Sequence, residues 1–148
     1  MYSHILVPID GGPLSRKAMA AAIKLAQPLK ARITCVHATP DFVPMMYGGI
    51  TPPPELISRT AYRKAMAQSA AKVLGTTGDL CRKAGVAWEG VHVPETEPYR
   101  AIIDTARRKR CDLILMASHG RSGIARFLLG SETQKVLSHS KIPVIVHR

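Results

Sequence analysis

Hydrophobic and polar positions divide the chain into short apolar runs and longer amphipathic stretches. The apolar runs have the length and composition of strands, and they cover residues 4–9, 32–38, 86–93, 112–117 and 142–146. Between them, apolar residues recur at helical spacing over residues 15–29, 56–84, 98–109 and 131–138. This alternation predicts an α/β fold, a doubly wound five-stranded parallel sheet with helices on both faces.

Glycine and proline mark the boundaries of these elements. Residues 10–13, Asp-Gly-Gly-Pro, end the first strand, and residues 39–54, rich in Pro, Gly and Met, are predicted to form a loop. Gly75 and Gly78 each disfavour the second helix by about 1 kcal/mol relative to Ala, which predicts a weak point there. Gly85 is expected to terminate that helix.

Length and composition restrict the class of protein. At 148 residues and 46% hydrophobic content, the chain is expected to form one domain over residues 1–148. No apolar run approaches the roughly 18–20 residues that span a membrane, and residues 1–7 lack the features of a signal peptide. Three widely spaced cysteines, Cys35, Cys81 and Cys111, argue against a disulfide framework or a zinc site. We therefore expect a cytoplasmic protein without membrane attachment.

The formal charge of +11 attracts phosphate groups in general. Part of this charge has a local explanation, because the four cations at 107–110 lie where a helix is predicted to end and stabilise that end of the helix dipole. Aromatic residues make up only 5% of the chain, so the stacking residues of a single-strand nucleic-acid binder are scarce. The composition therefore argues against nucleic acid as the partner.

Two predicted strand ends carry residues suited to a ligand. The Asp10 turn follows the first strand, and the loop 118–130 follows the fourth. In doubly wound sheets, ligands bind beyond the carboxyl ends of the strands, where the strand order reverses. The sequence suggests the strand order 3-2-1-4-5, in which both loops meet over a single crevice.

The loop 118–130 combines glycines, cations and the start of a helix. It contains Gly120, Gly123, Gly130, Arg121 and Arg126. Backbone N–H groups exposed by glycine, together with a helix N-terminus, form an anion site. Residues 131–134 also fit a capping box, in which Ser131 and Gln134 close the helix start. Capping and phosphate binding are compatible, because the backbone N–H of Ser131 remains free.

Residues 116–123 and 127–131 resemble the signature of the universal stress protein family. The ATP-binding members carry G-x-x-G, nine residues, and then G-[ST]. Here Gly120 and Gly130 match the second and third glycines, Ser131 completes the motif, and the nine-residue spacing is intact. The likeness covers the whole chain, including residues 5–10, 36–38 and 141–146.

The resemblance implies a Rossmann-like fold that binds ATP, ADP or AMP, with Mg²⁺ beside the phosphates. It implies that Asp10 and Ala38 line the adenine and ribose side, whereas Gly120, Gly130 and Ser131 hold the phosphates. The candidate cofactor-binding residues are Pro8, Ile9, Asp10, Ala38, Met116, Ala117, His119, Gly120, Arg121, Gly123, Gly130, Ser131, Glu132 and Thr133.

Two positions depart from the family pattern. Ala117 replaces the first glycine, which costs little at negative φ but about 1 kcal/mol or more at positive φ. Glu132 follows Ser131 directly, where it suits the helix dipole but would repel a bound triphosphate. Arg121 and Arg126 could offset that repulsion. We therefore expect AMP or ADP to be favoured over ATP.

Other functions stay open at this point. The usual NTPase, dehydrogenase, esterase and zinc-protease motifs are absent, so we expect no dedicated enzyme and at most slow ATP hydrolysis. The departures at Ala117 and Glu132 leave room for a family member that acts through protein contacts alone. His119 is either a proton carrier or a loop residue that shapes the crevice.

The loop 10–15 supports one enzyme alternative. It partly resembles the S-G-G-x-D-S loop of ATP pyrophosphatases, with matches at Gly11, Gly12 and Ser15. Asp10 and Leu14 replace two polar positions of that loop, which makes this the weaker interpretation.

The last strand predicts a partner. Its apolar residues 144–146 end the chain, so the strand is expected at an open sheet edge that needs covering. The resemblance implies antiparallel pairing of these strands across a two-fold axis, and Pro143 at the strand start does not block it. We predict a homodimeric stress-response or signalling module.

Overall fold

The computed structural model describes residues 1–43, 58–120 and 129–148. The elements in these ranges are β1 His4–Pro8, α1 Pro13–Leu29, β2 Arg32–Thr39, α2 Arg59–Lys83, β3 Trp88–Pro94, α3 Pro98–Arg108, β4 Leu113–Ala117, α4 Ser131–His139 and β5 Val144–His147. Each corresponds to an element expected from the sequence. Most of the predicted loop at 39–54, the first two residues of the predicted second helix, and the residues Arg121, Gly123 and Arg126 lie outside the described residues.

The strands form one parallel sheet in the order β3-β2-β1-β4-β5, which confirms the predicted topology. The chain leaves β1 through β2 and β3 and then returns to place β4 on the other side of β1. In register, Ile5 lies opposite Ile33 on one side and Leu113 on the other. The carboxyl ends of β1 and β4 are therefore neighbours at the point where the strand order reverses.

Two hydrophobic clusters cover the two faces of the sheet. Alternate residues of β1 point to opposite faces, so that Ile5 and Val7 belong to the cluster beneath α1 and α2. Leu6 belongs to the cluster beneath α3 and α4, where it packs with Ile102 and Val136. All of β4 is buried, as its continuous apolar run predicts for a strand covered on both faces.

Helix α2 passes through both of its glycines without interruption, and the two have different surroundings. A Cβ on Gly75 would have nothing within 4 Å, whereas a Cβ on Gly78 would overlap the indole ring of Trp88. Gly78 therefore lets α2 approach β3 closely. The helix ends where expected, because Gly85 takes the left-handed φ of +67° and the N–H of Val86 bonds to the carbonyl of Cys81.

None of the helices in the described ranges combines the length and apolar character that a membrane crossing requires.

The contrast between the two glycines predicts opposite effects of the same substitution. Gly75→Ala should raise the free energy of unfolding by about 0.5–1 kcal/mol, because alanine favours the helix and meets open space. Gly78→Ala should lower it by about 1–3 kcal/mol, because the new methyl group collides with Trp88. Urea denaturation of the two variants beside the wild type measures both changes. Equal effects would contradict this account of Gly78.

The buried histidine at the start of β1 predicts a loss of stability in acid. His4 is 4% exposed, its Nε2 lies 2.7 Å from Thr34 Oγ1, and its Nδ1 has no partner among the described residues. Burial, and secondly the charge of Arg32, lowers the pKa of His4 below its ordinary value of 6.5.

The unfolded chain therefore binds the proton of His4 more readily than the folded protein does. The contribution of neutral His4 is fully present above pH 6.5 and is lost as the pH falls through the lower pKa of the folded state. The free energy of unfolding, measured in urea between pH 7.5 and 5, should decline less steeply in His4→Asn than in the wild type. If the free energy of unfolding declines equally steeply with falling pH in both proteins, His4 does not cause the loss of stability in acid.

Candidate functional site

A cleft opens beyond the carboxyl ends of β1 and β4. Its volume is about 170 Å³, more than ten times the roughly 10–15 Å³ that one water requires. Ten of the candidate residues line it: Pro8, Ile9, Asp10, Ala38, Met116, Ala117, His119, Gly120, Glu132 and Thr133. The structure thus brings the loop after β1, the end of β2 and the start of α4 around one space.

Four further residues of the wall were missed by sequence reasoning: Ser15, Val36, Pro98 and Ile102. One of them carried a usable signal. Val36 lies two residues before Ala38 on β2 and therefore points to the same face. Gly130 and Ser131 do not line the cleft but lie immediately before Glu132 in the chain.

Asp10 holds the turn on one side of the cleft. Its Oδ1 accepts hydrogen bonds from the N–H of Gly12 at 2.8 Å and from Ser15 Oγ at 2.7 Å. The turn requires glycine at position 11, where φ is +81°. Asp10 Oδ2 has no partner among the described residues and lies 3.4 Å from the position that a Cβ on Gly120 would take. This carboxylate oxygen therefore lies next to Gly120 at the edge of the cleft.

The other side of the cleft is built by the start of α4. The N–H of Gly130 donates to the carbonyl of Ser118 at 2.8 Å. Thr133 Oγ1 lies 3.1 Å from the carbonyl oxygen of Ala117 and 3.2 Å from that of Ser118. A Cβ on Gly130 would lie 3.2 Å from the Ser118 oxygen, so this approach leaves little room for a larger residue. These contacts tie the first turn of α4 to the end of β4.

The predicted capping box is wrong. Gly130, not Ser131, is the N-cap of α4, and no side chain caps the helix. The hydrogen bond from Gly130 to Ser118 holds Gly130 in an extended conformation, so the helix begins one residue after it. Gln134 Nε2 donates to the carbonyl of Leu129 at 2.9 Å instead of reaching back to Ser131. The backbone N–H of Ser131 is one of the first-turn groups that have no partner within a helix.

Ala117 causes no backbone strain. Among the described residues other than glycine, only Lys30 and Arg110 have positive φ, so Ala117 lies in ordinary strand conformation at the end of β4. The residue is paired in register with His147 of β5. Since φ at Ala117 is not positive, replacing the family's glycine by alanine costs little backbone energy at this position.

Glu132 connects α4 to α3. Its Oε2 accepts a hydrogen bond from the backbone N–H of Tyr99 at 2.8 Å, and its Oε1 lies 3.1 Å from Lys135 Nζ. Tyr99 is the second residue of α3, whose own N-cap, Glu97, makes no side-chain capping bond. Glu132 therefore caps α3 from a neighbouring helix. Sequence reasoning missed this role because the two residues are 33 positions apart.

Two remaining polar side chains of the cleft, those of His119 and Ser15, make hydrogen bonds to residues near them in the chain. His119 Nδ1 lies 3.0 Å from Ser118 Oγ, while its buried Nε2 has no partner in the described part of the chain. No carboxylate of the described ranges bonds to this ring, so nothing orients it as a proton carrier. The Ser15 hydroxyl lies within hydrogen-bond distance of Asp10 Oδ1 and of the Gly12 carbonyl. It is therefore already engaged and is not offered to a phosphate.

The contact between Thr133 and β4 predicts a measurable stability effect. Thr133→Val keeps the shape of the side chain but removes the hydroxyl that lies within hydrogen-bond distance of two buried carbonyls. The Ser118 carbonyl still accepts the N–H of Gly130, so the free energy of unfolding should fall by about 0.5–1.5 kcal/mol, the net value of one hydrogen bond. Ser138→Ala, which removes a hydroxyl bonded to Gln134 on the exposed side of the same helix, is the control and should cost little. Equal losses in urea denaturation would show that Thr133 is not a special anchor.

Relatives of known name share both the sequence and the fold. Universal stress protein YxiE of Bacillus subtilis is 30% identical over 151 residues, and the alignment covers all of both chains. The solved structure of universal stress protein UspA from Lactobacillus plantarum has a TM-score of 0.80 and 25% identity, and covers 99% of this chain and 98% of its own.

Two solved structures of the same fold contain nucleotides. A universal stress protein from Archaeoglobus fulgidus in complex with dAMP has a TM-score of 0.67 and 22% identity, and covers 99% of this chain and 98% of its own. A family protein from Arabidopsis thaliana with AMP bound has a TM-score of 0.68 and 15% identity, and covers 97% and 90%. The family model described as "Universal stress protein family" matches residues 1–148. The chain therefore belongs to the universal stress protein family.

Proposed function

We propose that the cleft between β1 and β4 binds an adenine nucleotide and that this universal stress protein acts as a nucleotide-dependent stress-response or signalling module. One observation carries the proposal. Asp10 after β1, Gly120 after β4, and Glu132 and Thr133 in the first turn of α4 line one cleft, at the reversal of the strand order. The dAMP and AMP complexes of relatives with this fold support the choice of ligand.

The nucleoside would occupy the side of the cleft formed by β1 and β2. Asp10 and Ala38, with Pro8 and Ile9, would line the adenine and ribose, and Ile102 adds apolar surface opposite them. Asp10 Oδ2 would accept a hydrogen bond from a ribose hydroxyl or the adenine amino group, since an ionised carboxylate only accepts.

The phosphates would lie at the start of α4. The backbone N–H groups of its first turn have no intrahelical partner, and the positive end of the helix dipole attracts anions. Gly120, Gly130 and Ser131 would supply the cradle, with Met116, Ala117, His119 and Thr133 in the adjoining wall. Arg121 and Gly123 belong to the proposal on sequence grounds alone.

Mg²⁺ would accompany a bound diphosphate or triphosphate. No group of three ligating side chains occurs within the described ranges, but Mg²⁺ bound to phosphates needs only one or two protein oxygens and otherwise keeps water. The hydroxyl of Ser131 is an oxygen that the start of α4 offers for this purpose.

Binding without dedicated catalysis fits the site better than the alternatives. No carboxylate of the described residues bonds to the His119 ring, and Ser15 is occupied by Asp10, so neither a proton relay nor a pyrophosphatase loop is favoured. We therefore propose at most slow hydrolysis. The lack of strain at Ala117 weakens the case for a family member that has lost its ligand.

We propose a cytoplasmic location because the cysteines are free and buried. Cys35, Cys81 and Cys111 form no disulfide, and burial is the main reason that the pKa of Cys111 rises to about 11. A thiol that stays protonated reacts slowly, as expected of structural cysteines in a reducing compartment.

The edge strand β5 supports homodimerisation. It is the outermost strand beside β4, and Ile145 is 40% exposed there. An apolar edge needs covering, and we propose that a second copy pairs with it in antiparallel fashion.

Calorimetric titration with AMP, ADP and ATP tests nucleotide binding, and Gly120→Ala tests its location. The new Cβ would make ordinary contact with Asp10 Oδ2 at 3.4 Å, so the fold should persist while the methyl group occupies ligand space. Overpacking of this size should weaken binding about tenfold or more. Gly75→Ala, which changes the same residue type far from the cleft, should bind like the wild type.

The absence of binding for all three nucleotides, together with no nucleotide released when the purified protein is heat-denatured, would overturn the proposal. Undiminished binding in Gly120→Ala would instead move the ligand out of this cleft.

The proposed dimer is tested by light scattering at micromolar concentration. Ile145→Lys places a charge in the paired edge and should convert a dimer mass to a monomer mass. Leu80→Lys is the control, because Leu80 is an exposed hydrophobic residue of α2, away from β5. A monomer mass for the wild type would refute the pairing.

A further inference from the structure

We infer that Glu132 makes the site selective for the length of the phosphate chain, favouring adenosine monophosphate over triphosphate. The inference rests on the proposed function, because it concerns the same cleft. Its starting point is that Glu132 both lines the cleft and follows directly after Ser131, the residue proposed to hold phosphate.

Two helix N-termini converge on this region, and Glu132 distinguishes them. Pro98 at the start of α3 and Thr133 in the first turn of α4 both line the cleft. The α3 terminus is already occupied by a carboxylate, since Glu132 Oε2 accepts the N–H of Tyr99 at 2.8 Å. The α4 terminus has no side-chain cap. An incoming phosphate is therefore directed to α4, with a fixed negative charge beside it.

The charge of Glu132 is held in place. If the carboxylate turned away, the N–H of Tyr99 would lose its acceptor, and Glu97 does not cap this helix with its own side chain. The ring of Tyr99 is itself fixed between α3 and α4, with its centroid 5.2 Å from that of His139 and 5.3 Å from Lys135 Nζ. The carboxylate therefore cannot move aside cheaply when a longer phosphate chain approaches.

Lys135 compensates the charge of Glu132 only in part. The ion pair spans 3.1 Å, but the two side chains are 43% and 33% exposed, so water screens their mutual attraction. ATP carries about two more negative charges than AMP, and the added repulsion from Glu132 grows with that difference. A monophosphate meets the favourable helix terminus, whereas the extra phosphates of ATP add mainly repulsion.

Glu132→Gln separates charge from structure. The glutamine oxygen can still accept the Tyr99 N–H, so the cap of α3 persists while the negative charge is removed. Titration calorimetry of AMP and ATP without added Mg²⁺ should show tighter AMP binding in the wild type. In Glu132→Gln the affinity for ATP relative to AMP should rise about fivefold to tenfold.

A second variant should act in the opposite direction. Lys135→Gln removes the partial compensation and should increase the preference for AMP. Asp104→Asn is the matched control, because it removes the same charge from an exposed position of α3 outside the cleft and should leave the ratio unchanged. Thermal denaturation of each variant establishes that the fold is intact.

The outcomes separate the two proposals. A wild type that binds no adenine nucleotide overturns the proposed function and this inference with it. Binding with an equal ATP-to-AMP ratio in the wild type, Glu132→Gln and Lys135→Gln overturns only the role of Glu132. The same change of the ATP-to-AMP ratio in Asp104→Asn would show that the ratio depends on the net charge of the protein and not on the position of Glu132. That result would also refute the inference.

Discussion

The contact between β1 and β4 is the constraint on which the rest of the structure depends. The two strands are 105 or more residues apart in the chain, yet Ile5 pairs with Leu113 and Leu6 with Ile114 in the centre of the sheet. Both strands are fully covered there, so their pairing is inseparable from the burial of the core. Because the strands are parallel, this pairing places the Asp10 turn beside the loop after β4.

A second set of contacts converts that adjacency into a defined cleft. Gly130 and Thr133 attach the first turn of α4 to the carbonyls at the end of β4, and Glu132 attaches the same turn to α3. Three consecutive elements of the chain are thereby connected through one turn of helix. The backbone donors of α4 are positioned before any ligand arrives, which reduces the ordering cost of binding.

Much of this arrangement could be predicted from the sequence, because strands, helices and turns leave local signals. The apolar runs and the Asp-Gly-Gly-Pro turn were sufficient for the fold class, and they suggested the strand order that the structure has. Ten candidate residues lie around one cleft, although their contacts with nucleotide remain a prediction. The register of the strands was not predicted, because periodicity does not determine which residues of two strands lie opposite each other.

The failures involve long-range contacts that override a local pattern. Residues 131–134 match a capping box, but the bond from Gly130 to Ser118 makes Gly130 the N-cap, one residue before the predicted one. The capping role of Glu132 was missed, because only the fold reveals Tyr99 as its partner. Gly78 looked like a weak point of α2, whereas it accommodates the ring of Trp88. None of these partners is near in sequence.

A crystal structure of the protein grown with AMP tests the central claim most directly. The account predicts the phosphate within hydrogen-bond distance of the backbone N–H groups of Gly120 and Ser131, with the nucleoside against Asp10 and Ala38. Nucleotide density elsewhere on the molecule, or a cleft without density at saturating AMP, would contradict it.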